Sequence, residues 1–315
     1  MQQRSVGHSG LKVSEVGLGT MTWGRDTDEH EARDQLIAYV EAGGTLLDTA
    51  AGYTDGASER LIGSLIGDVV ARDEIVIATK AGISRRTGGR RVDTGRGALL
   101  SALDGSLRRL GTDHVDLWQV HVWSDETPLE ETIGALDHAV RTGKARYIGV
   151  SNYAAWQTAR AVTLQEMLPG AAPIVSTQMQ YSLLAREIEY DVVPAARSLG
   201  VGILAWSPLA GGVLTGKYRQ GTPSDSRAAR SDFGGRLDAY LDDRGRRIVE
   251  AVCRAADGLG WTPAQVALAW VRDRPGVAAP VIGARTAAQL TTLLGVTELS
   301  LPPELVAALD DVSGD

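Results

Sequence analysis

The sequence is poor in cysteine, with Cys253 the only one among 315 residues. One cysteine cannot form an intramolecular disulfide or a cysteine-rich zinc site, which excludes a disulfide-stabilised secreted scaffold. The sequence also lacks a long apolar run: the most apolar stretch, Gly200–Leu214, is short for a membrane span and contains Pro208. The N-terminal residues show no apolar segment of the kind found in secretory signals. We therefore expect a cytoplasmic protein that does not bind a membrane.

The sequence also has no excess of positive charge. Its 32 Lys and Arg residues and 39 Asp and Glu residues give a net charge of −7. This balance argues against nucleic acid as a partner. Hydrophobic residues make up 43% and charged residues 23% of the chain, which are ordinary values for a globular protein and exclude a disordered one. The length allows one large domain or two ordinary ones. Single α/β barrels often have about 250 residues or more, and we predict one domain that spans residues 1–315.

Short apolar runs alternate with helical patterns along the chain. Each run is brief and apolar on both faces, as in the strands of a buried parallel sheet. The predicted strands are Glu15–Leu18, Thr45–Asp48, Ile75–Thr79, Val115–Val120, Tyr147–Val150, Ile174–Thr177, Gly202–Ala205 and Pro280–Ile282. The predicted helices are Asp28–Ala42, Leu99–Leu110, Leu129–Val140, Tyr153–Glu166, Val192–Leu199, Arg244–Ala256, Pro263–Val271, Thr286–Leu294 and Pro303–Leu309.

This alternation favours an α/β protein, specifically a (β/α)8 TIM barrel with long loops on its C-terminal face. The alternative architecture for the same pattern is an open, doubly wound parallel sheet. Before the first predicted strand, the segment Arg4–Val13 centres on His8-Ser9-Gly10 and indicates a small N-terminal β-hairpin.

Four polar residues follow or end successive predicted strands. Asp48 ends the second strand and is followed by Tyr53, Lys80 follows the third strand, and His121 follows the fourth. Catalytic residues of TIM barrels lie at the C-terminal ends of strands, so we expect these side chains to converge. Taken singly, each has a structural interpretation as a cap, a loop residue, a rim cation or a core histidine. Together they favour a site, because burying a lone Lys or Asp is costly whereas burying the pair is tolerable.

These residue types suit the reduction of a carbonyl group. A tyrosine has a pKa of about 10, and a neighbouring ammonium group lowers it by stabilising the phenolate. With Asp48 holding Lys80 in place, Tyr53 could donate a proton to a carbonyl oxygen as general acid. His121 could orient the same oxygen through a hydrogen bond. The carbon also needs a hydride, which no side chain supplies, so the chemistry implies a reduced nicotinamide.

Several motifs occur in a fixed order along the chain. They are Gly17–Thr20, Leu47–Ala50 with Tyr53, Ser58–Gly63, Ala78–Lys80, Ser106–Asp113, Asp116–His121, Ser151-Asn152, Gln178 with Tyr181, and Trp206–Leu209. In this order, and over nearly the whole chain, they resemble the motifs of the aldo-keto reductases. The Trp-Ser-Pro-Leu form of the last motif is similar to the branch that contains bacterial reductases and potassium-channel β-subunit-like proteins. The resemblance implies Asp48, Tyr53, Lys80 and His121 as the catalytic tetrad.

A Rossmann site is not expected, because the nearest glycine pattern, Gly17–Thr22, lacks a third glycine and a helix directly behind it. TIM barrels often bind phosphate at the loops after strands seven and eight instead. The first of these loops, Ser207–Gly212, has small residues that let backbone N–H groups approach a pyrophosphate, and Lys217 follows closely. The second, Gly283–Thr286, opens a helix whose N-terminus favours an anion.

The resemblance implies NADP(H) as the cofactor and assigns its contacts. Ser151, Asn152 and Gln178 would bind the carboxamide, and Trp206 would stack on the nicotinamide ring. Ser207, Leu209, Gly211 and Lys217 would hold the pyrophosphate; Gly283, Arg285 and Gln289 would line the adenosine end; Gly19, Thr20, Met21 and Asp48 complete the set. Arg285 stands where a residue that binds the 2′-phosphate is expected, and a guanidinium suits phosphate, so we predict NADPH over NADH. The usual adenine contacts, Glu and Asn, are replaced by Thr292 and Leu293, which leaves those contacts without counterparts.

The substrate pocket is expected to involve Trp23, Tyr53, His121 and Trp123, while the segment Tyr218–Asp243 is predicted to be either a lid or a surface loop. The leading prediction is NADPH-dependent reduction of an aldehyde, ketone or keto-sugar, with a small-molecule carbonyl substrate as partner and homo-oligomerisation allowed. One alternative is a nicotinamide-binding regulatory subunit with slow turnover. Another is a metal-dependent barrel isomerase, for which only His121 and Asp48 would qualify as ligands, so no metal is predicted.

Overall fold

The computed structural model describes residues 1–84, 89–224, 226, 229 and 234–314. Its strands are β1 (Gln3–Ser5), β2 (Lys12–Ser14), β3 (Gly17–Gly19), β4 (Leu46–Asp48), β5 (Val76–Ala81), β6 (Ile83–Ser84), β7 (Arg91–Val92), β8 (Val115–Val120), β9 (Ala145–Ser151), β10 (Ile174–Gln180), β11 (Gly202–Trp206) and β12 (Val277–Ile282). Eight of these strands pair in parallel and form a closed barrel. They are β3, β4, β5, β8, β9, β10, β11 and β12. This confirms the TIM barrel and rules out the open sheet.

Helices surround the barrel. They are α1 (Glu29–Glu41), α2 (Ala57–Leu65), α3 (Arg96–Leu110), α4 (Leu129–Arg141), α5 (Ala155–Glu166), α6 (Val192–Ser198), α7 (Gly234–Leu237), α8 (Asp243–Leu259), α9 (Pro263–Arg272), α10 (Ala287–Leu294) and α11 (Pro303–Ser313). The local chemistry explains two of the helix ends. Asp28 accepts a hydrogen bond from the N–H of Glu31 as the N-cap of α1. Gly111 ends α3 in the left-handed conformation, with φ of 65°.

The N-terminal hairpin closes the interior of the barrel. β1 and β2 pair antiparallel, as predicted for this segment. Val6, Leu11 and Val13 are buried in the same apolar cluster as the barrel residues Leu117 and Leu204. A second and larger cluster fills the space between the strands and the helices. The barrel therefore has a packed interior, and the carboxyl ends of its strands are free to build a site.

Many predicted bounds differ from the structure by one to four residues, and two differences concern elements next to the site. The first barrel strand was expected at Glu15–Leu18 but is Gly17–Gly19. The reason is that Glu15 belongs to the hairpin junction, where its carboxylate accepts a hydrogen bond from the N–H of Gln2 at 3.1 Å. Helix α2 was not predicted, because it is short and follows directly after Gly56.

Among the described residues, no single helix has both the length and the apolarity that a membrane crossing requires. Only the bent pair Ala287–Glu298 and Pro303–Ser313 meets those criteria when its two parts are taken together. The segment Tyr218–Asp243, predicted as a lid or a surface loop, lies partly outside the described residues.

Candidate active site

Four polar side chains gather at the carboxyl ends of neighbouring barrel strands. Asp48 is the last residue of β4, Lys80 lies near the end of β5, and His121 directly follows β8. β4 pairs with β5, and β5 pairs with β8, so the three strand ends are adjacent. Tyr53 begins the 3₁₀ turn that follows β4. The structure therefore brings together the four residues of the predicted tetrad.

The centre of this group is a buried ion pair. Lys80 is 1% exposed and Asp48 is 3% exposed. The Nζ of Lys80 donates to Oδ1 of Asp48 at 2.6 Å and to the carbonyl oxygen of Thr49 at 2.9 Å. Burial alone would lower the pKa of Lys80, but the Asp48 carboxylate and the Tyr53 hydroxyl outweigh burial and raise it above its ordinary value. Lys80 therefore keeps its positive charge inside the protein.

The second oxygen of Asp48 is also occupied. The side-chain amide of Gln178, on β10, donates to Oδ2 of Asp48 at 2.7 Å. With one carboxylate oxygen bound by Lys80 and the other by Gln178, Asp48 is fixed in orientation. A carboxylate held in this way is suited to support its neighbour rather than to exchange protons.

Tyr53 and His121 lie on the exposed side of the ion pair. The Nζ of Lys80 is 5.3 Å from the centroid of the Tyr53 ring, and the rings of Tyr53 and His121 are 5.9 Å apart at 80°. The turn behind Tyr53 is tied to β5, because the N–H of Ala51 donates to the carbonyl of Lys80 at 3.0 Å. Thr54, next to Tyr53, has a left-handed φ of 48°. Such strain in a non-glycine residue is common at functional sites.

The residues expected around the nicotinamide form one hydrogen-bonded group. The indole N–H of Trp206 donates to Oδ1 of Asn152 at 3.0 Å. The amide of Asn152 donates to the carbonyl of His121 at 2.9 Å and to Oγ of Ser151 at 3.0 Å. Ser151 in turn donates to the carbonyl of Gln178 at 2.9 Å. The ends of β9, β10 and β11 thus hold these residues beside the tetrad.

The loop after β11 forms a cradle of backbone groups. Ser207, Gly211 and Gly212 have positive φ values of 55°, 66° and 96°. The hydroxyl of Ser207 accepts from the N–H of Gly211 at 3.2 Å. A Cβ added to Gly212 would lie 3.0 Å from Nζ of Lys217, so this ammonium lies directly against the glycine backbone. Leu209 is partly buried behind the loop. The cradle fits a pyrophosphate, which needs close backbone approach and a nearby cation.

The predicted adenosine end is built around the start of α10. The N–H of Arg285 donates to Oε1 of Gln289 at 3.0 Å. Gly283 lies against β3, since a Cβ there would be 3.5 Å from the carbonyl oxygen of Gly19. Leu293 is buried in the core, which leaves it without surface for an adenine ring, while Thr292 is exposed.

The loop after β3 places its three predicted residues differently. Thr20 is fully buried, and its hydroxyl donates to the carbonyl oxygen of Asp48 at 3.1 Å. Met21 is half-buried. Trp23 is 0% exposed, and its indole N–H donates to Oε1 of Gln35 at 3.0 Å. The structure therefore does not bring Trp23 to the surface of the site.

Three aromatic side chains lie across the mouth of the barrel from the loop after β3. Trp123 makes edge-to-face contacts with Tyr153, at 5.1 Å, and with Trp156, at 5.4 Å. Trp156 is 59% exposed, whereas Tyr153 is buried. Only Trp123 was predicted as a pocket residue. The other two could have been found from their position directly after Asn152, where β9 passes into α5.

The described residues contain no group of three or more His, Cys, Asp or Glu side chains placed to hold a metal ion. The polar side chains at the mouth of the barrel instead combine one buried cation with a tyrosine and a histidine. That arrangement suits proton donation to a polarised oxygen.

The chain is similar to known proteins over nearly its whole length. Residues 15–313 match the model of the Aldo/keto reductase family. The chain is 38% identical to "Uncharacterized oxidoreductase YrpG" of Bacillus subtilis, with 99% of this chain and 96% of that protein covered. It is 36% identical to "Protein tas" of Escherichia coli, with 99% and 97% covered. It is 34% identical to a "Probable voltage-gated potassium channel subunit beta" of Oryza sativa, with 99% and 96% covered. This chain belongs to the aldo/keto reductase family and to the branch that contains these proteins.

Proposed function

We propose that this chain is an NADPH-dependent reductase that converts an aldehyde, ketone or keto-sugar into an alcohol, with Tyr53 as the general acid. The observation that carries the proposal is the buried pair of Lys80 and Asp48, whose ammonium lies 5.3 Å from the Tyr53 ring. A cation is costly to bury. Its presence beside a tyrosine has a direct chemical use in proton transfer.

Each member of the tetrad has one role in the proposed reaction. The Lys80 ammonium favours the phenolate form of Tyr53, so the phenol proton passes more readily to the carbonyl oxygen. The His121 ring, edge-on to Tyr53, orients that oxygen through a hydrogen bond. Asp48 holds Lys80 and keeps it charged. The reduced nicotinamide, when bound, supplies the hydride that the carbonyl carbon receives.

The polar groups around the tetrad fit such a cofactor. The proposed contacts are Ser151, Asn152, Gln178 and Trp206 at the nicotinamide, Ser207, Leu209, Gly211 and Lys217 at the pyrophosphate, Gly283, Arg285 and Gln289 at the adenosine end, and Gly19, Thr20, Met21 and Asp48 along β3 and β4. The cradle of Gly211 and Gly212 beside Lys217 supports the pyrophosphate assignment. Arg285 supports NADPH over NADH, since a guanidinium binds phosphate in a bidentate manner.

Substrate contacts are proposed for Tyr53, His121 and Trp123, with Trp23 as a packed support. The regulatory alternative gains no support from the site, because nucleotide binding alone does not require a buried Lys80 beside Tyr53.

We place the protein in the cytoplasm, where the buried thiol of Cys253 would remain reduced. Self-association is compatible with the proposal and can be measured by light scattering.

The test is the loss of reduced-nicotinamide absorbance with NADPH and a reactive aromatic aldehyde, for the wild type beside Tyr53→Phe. We expect turnover by the wild type and near-complete loss in the variant, with NADPH binding retained. Tyr147→Phe is the matched control, because Tyr147 lies on β9 near Gly10, away from the strand ends of the site. Failure of the wild type to bind NADPH or NADH would overturn the proposal.

A further inference from the structure

Glu59 is a buried carboxylate that the proposed proton transfer does not use. It lies in the first turn of α2 and is 0% exposed. Its Oε1 accepts a hydrogen bond from the hydroxyl of Thr79 at 2.6 Å, and its Oε2 accepts from Nε of Arg109 at 2.7 Å. A carboxylate that is buried this deeply costs free energy unless both oxygens are bound. Glu59 therefore joins two elements, β5 and α3, at one point.

Thr79 is the residue immediately before Lys80. Side chains alternate between the two faces of a strand, so Lys80 points into the mouth of the barrel while Thr79 points towards the helices. The hydrogen bond from Thr79 to Glu59 thus fixes the end of β5 from outside. The position of the Lys80 ammonium follows from the position of this strand end.

The same helix turn also holds the end of β4. The hydroxyl of Ser58, beside Glu59, contacts the hydroxyl of Thr49 at 2.9 Å and donates to the carbonyl of Thr20 at 2.9 Å. Thr49 supplies the carbonyl that accepts from Lys80. Consecutive residues of α2 therefore bind the ends of the two strands that carry Asp48 and Lys80.

Arg109, the other partner of Glu59, packs against the turn that carries Tyr53. A Cβ added to Gly56, the last residue of that turn, would lie 2.5 Å from Cδ of Arg109. The left-handed φ of Gly56, 82°, also requires glycine at this position. Arg109 thus covers the end of the Tyr53 turn while its guanidinium is held by Glu59.

We infer that Glu59 is a positioning residue, whose buried carboxylate sets the distance between the turn that carries Tyr53 and the strand end that carries Lys80. The inference rests on the proposed function, because that distance matters only if Lys80 activates Tyr53. Small displacements of catalytic groups cost large factors in rate. Loosening the Thr79–Glu59 contact should therefore weaken the influence of Lys80 on Tyr53 without removing either residue.

The test uses Thr79→Val, which removes the hydroxyl at nearly constant volume. We expect kcat to fall about tenfold, with KM and the Kd for NADPH unchanged, and the alkaline limb of the kcat profile to move to higher pH. The Thr79→Ser variant keeps the hydroxyl, so its kcat and the pH profile of its kcat should equal those of the wild type. Thr132→Val is the matched control: Thr132 is buried and donates to the carbonyl of Thr94 at 3.0 Å, but it belongs to α4. The Thr132→Val variant should be less stable than the wild type, but the pH profile of its kcat should be unchanged.

A second readout does not depend on turnover. The titration of Tyr53 can be followed by phenolate absorbance, as the difference between each protein and its Tyr53→Phe version. We expect the midpoint to move to higher pH in Thr79→Val and Glu59→Gln, but not in Thr132→Val. An unchanged midpoint and an unchanged kcat in folded Thr79→Val would overturn the inference. A shifted midpoint in a protein that reduces no carbonyl would keep the positioning role and reject the reductase.

Discussion

The side-chain amide of Gln178 and the carboxylate of Asp48 are joined across the mouth of the barrel, with Nε2 of Gln178 2.7 Å from Oδ2 of Asp48. β10 and β4 are opposite strands of the eight-stranded barrel, four positions apart in either direction. The hydrogen bond therefore spans the barrel instead of following its wall. The bond joins Gln178, which is expected to bind the nicotinamide carboxamide, to Asp48, the carboxylate that holds Lys80.

Replacing Gln178 tests this link in the protein without cofactor. Gln178→Leu removes the donor and leaves Oδ2 of Asp48 buried without a partner, so we expect the free energy of unfolding to fall by about 1–3 kcal/mol. Gln178→Glu places two carboxyl groups at hydrogen-bond distance, where the repulsion between two carboxylates favours a proton shared by the pair in the folded state. Its stability should therefore be greater at pH 5 than at pH 8. Urea denaturation at both values measures the effect, and equal stabilities would contradict the contact.

The ion pair of Lys80 and Asp48 predicts strong coupling between their substitutions. Lys80→Met leaves a buried carboxylate without its cation and should cost about 3–5 kcal/mol of unfolding free energy. Adding Asp48→Asn removes that unpaired charge, so the double variant should be more stable than Lys80→Met alone. Urea denaturation of the four proteins gives the coupling energy. Additive effects would show that the two groups are independent. All three variants should lack turnover.

The positions of the four proposed catalytic side chains could be predicted because Asp48 ends a short apolar strand and the other three end or follow such strands. The barrel places such residues at one end, whatever the exact strand limits. The role of Gln178 at Asp48 could not be predicted in this way. The two residues are 130 positions apart, and only closure of the barrel brings β10 opposite β4.

Trp23 and Glu59 show the other limit of sequence reasoning. Trp23 follows β3, as a pocket residue would, but its loop folds back and buries the indole against Gln35. Glu59 lies in one of the motifs that resemble the family, yet its partners come from β5 and α3. The sequence pattern alone does not show which face of a short helix meets which strand.

Tyr39 predicts how the stability of the protein depends on alkaline pH. Burial raises the pKa of this tyrosine well above its ordinary range, and its hydroxyl donates within the core to the carbonyl of Val16 at 2.8 Å. The folded state therefore holds the proton more tightly than the unfolded state. The contribution to stability is complete below the unfolded pKa of about 10 and is lost as pH rises above it.

Tyr39→Phe isolates this contribution. We expect the variant to be less stable at pH 8, because the core loses a hydrogen bond, by about 1–3 kcal/mol. Above about pH 10 the wild type should lose stability more steeply than the variant, by up to about 1.4 kcal/mol for each pH unit. Urea denaturation between pH 8 and 11 measures both slopes. Equal slopes would show that Tyr39 titrates normally in the folded protein.

Two basic residues at the predicted cofactor site should affect affinity in different ways. Lys217 lies against the glycine cradle after β11, where a pyrophosphate common to NADPH and NADH would bind. Arg285 directly precedes the N-cap of α10, where only the 2′-phosphate of NADPH is expected. Lys217→Ala should therefore weaken both cofactors, and Arg285→Ala should weaken NADPH by about tenfold or more while NADH binding stays unchanged.

The measurement is titration of the tryptophan fluorescence with each cofactor, since Trp206 lies where the nicotinamide ring is expected. Arg254→Ala is a control for net charge, because Arg254 is an exposed residue of α8 that pairs with Glu250 on the same helix. The affinity difference between NADPH and NADH should also shrink as salt concentration rises, because the phosphate contact at Arg285 is electrostatic. Equal losses for both cofactors in Arg285→Ala would place the 2′-phosphate elsewhere and remove the basis for preferring NADPH.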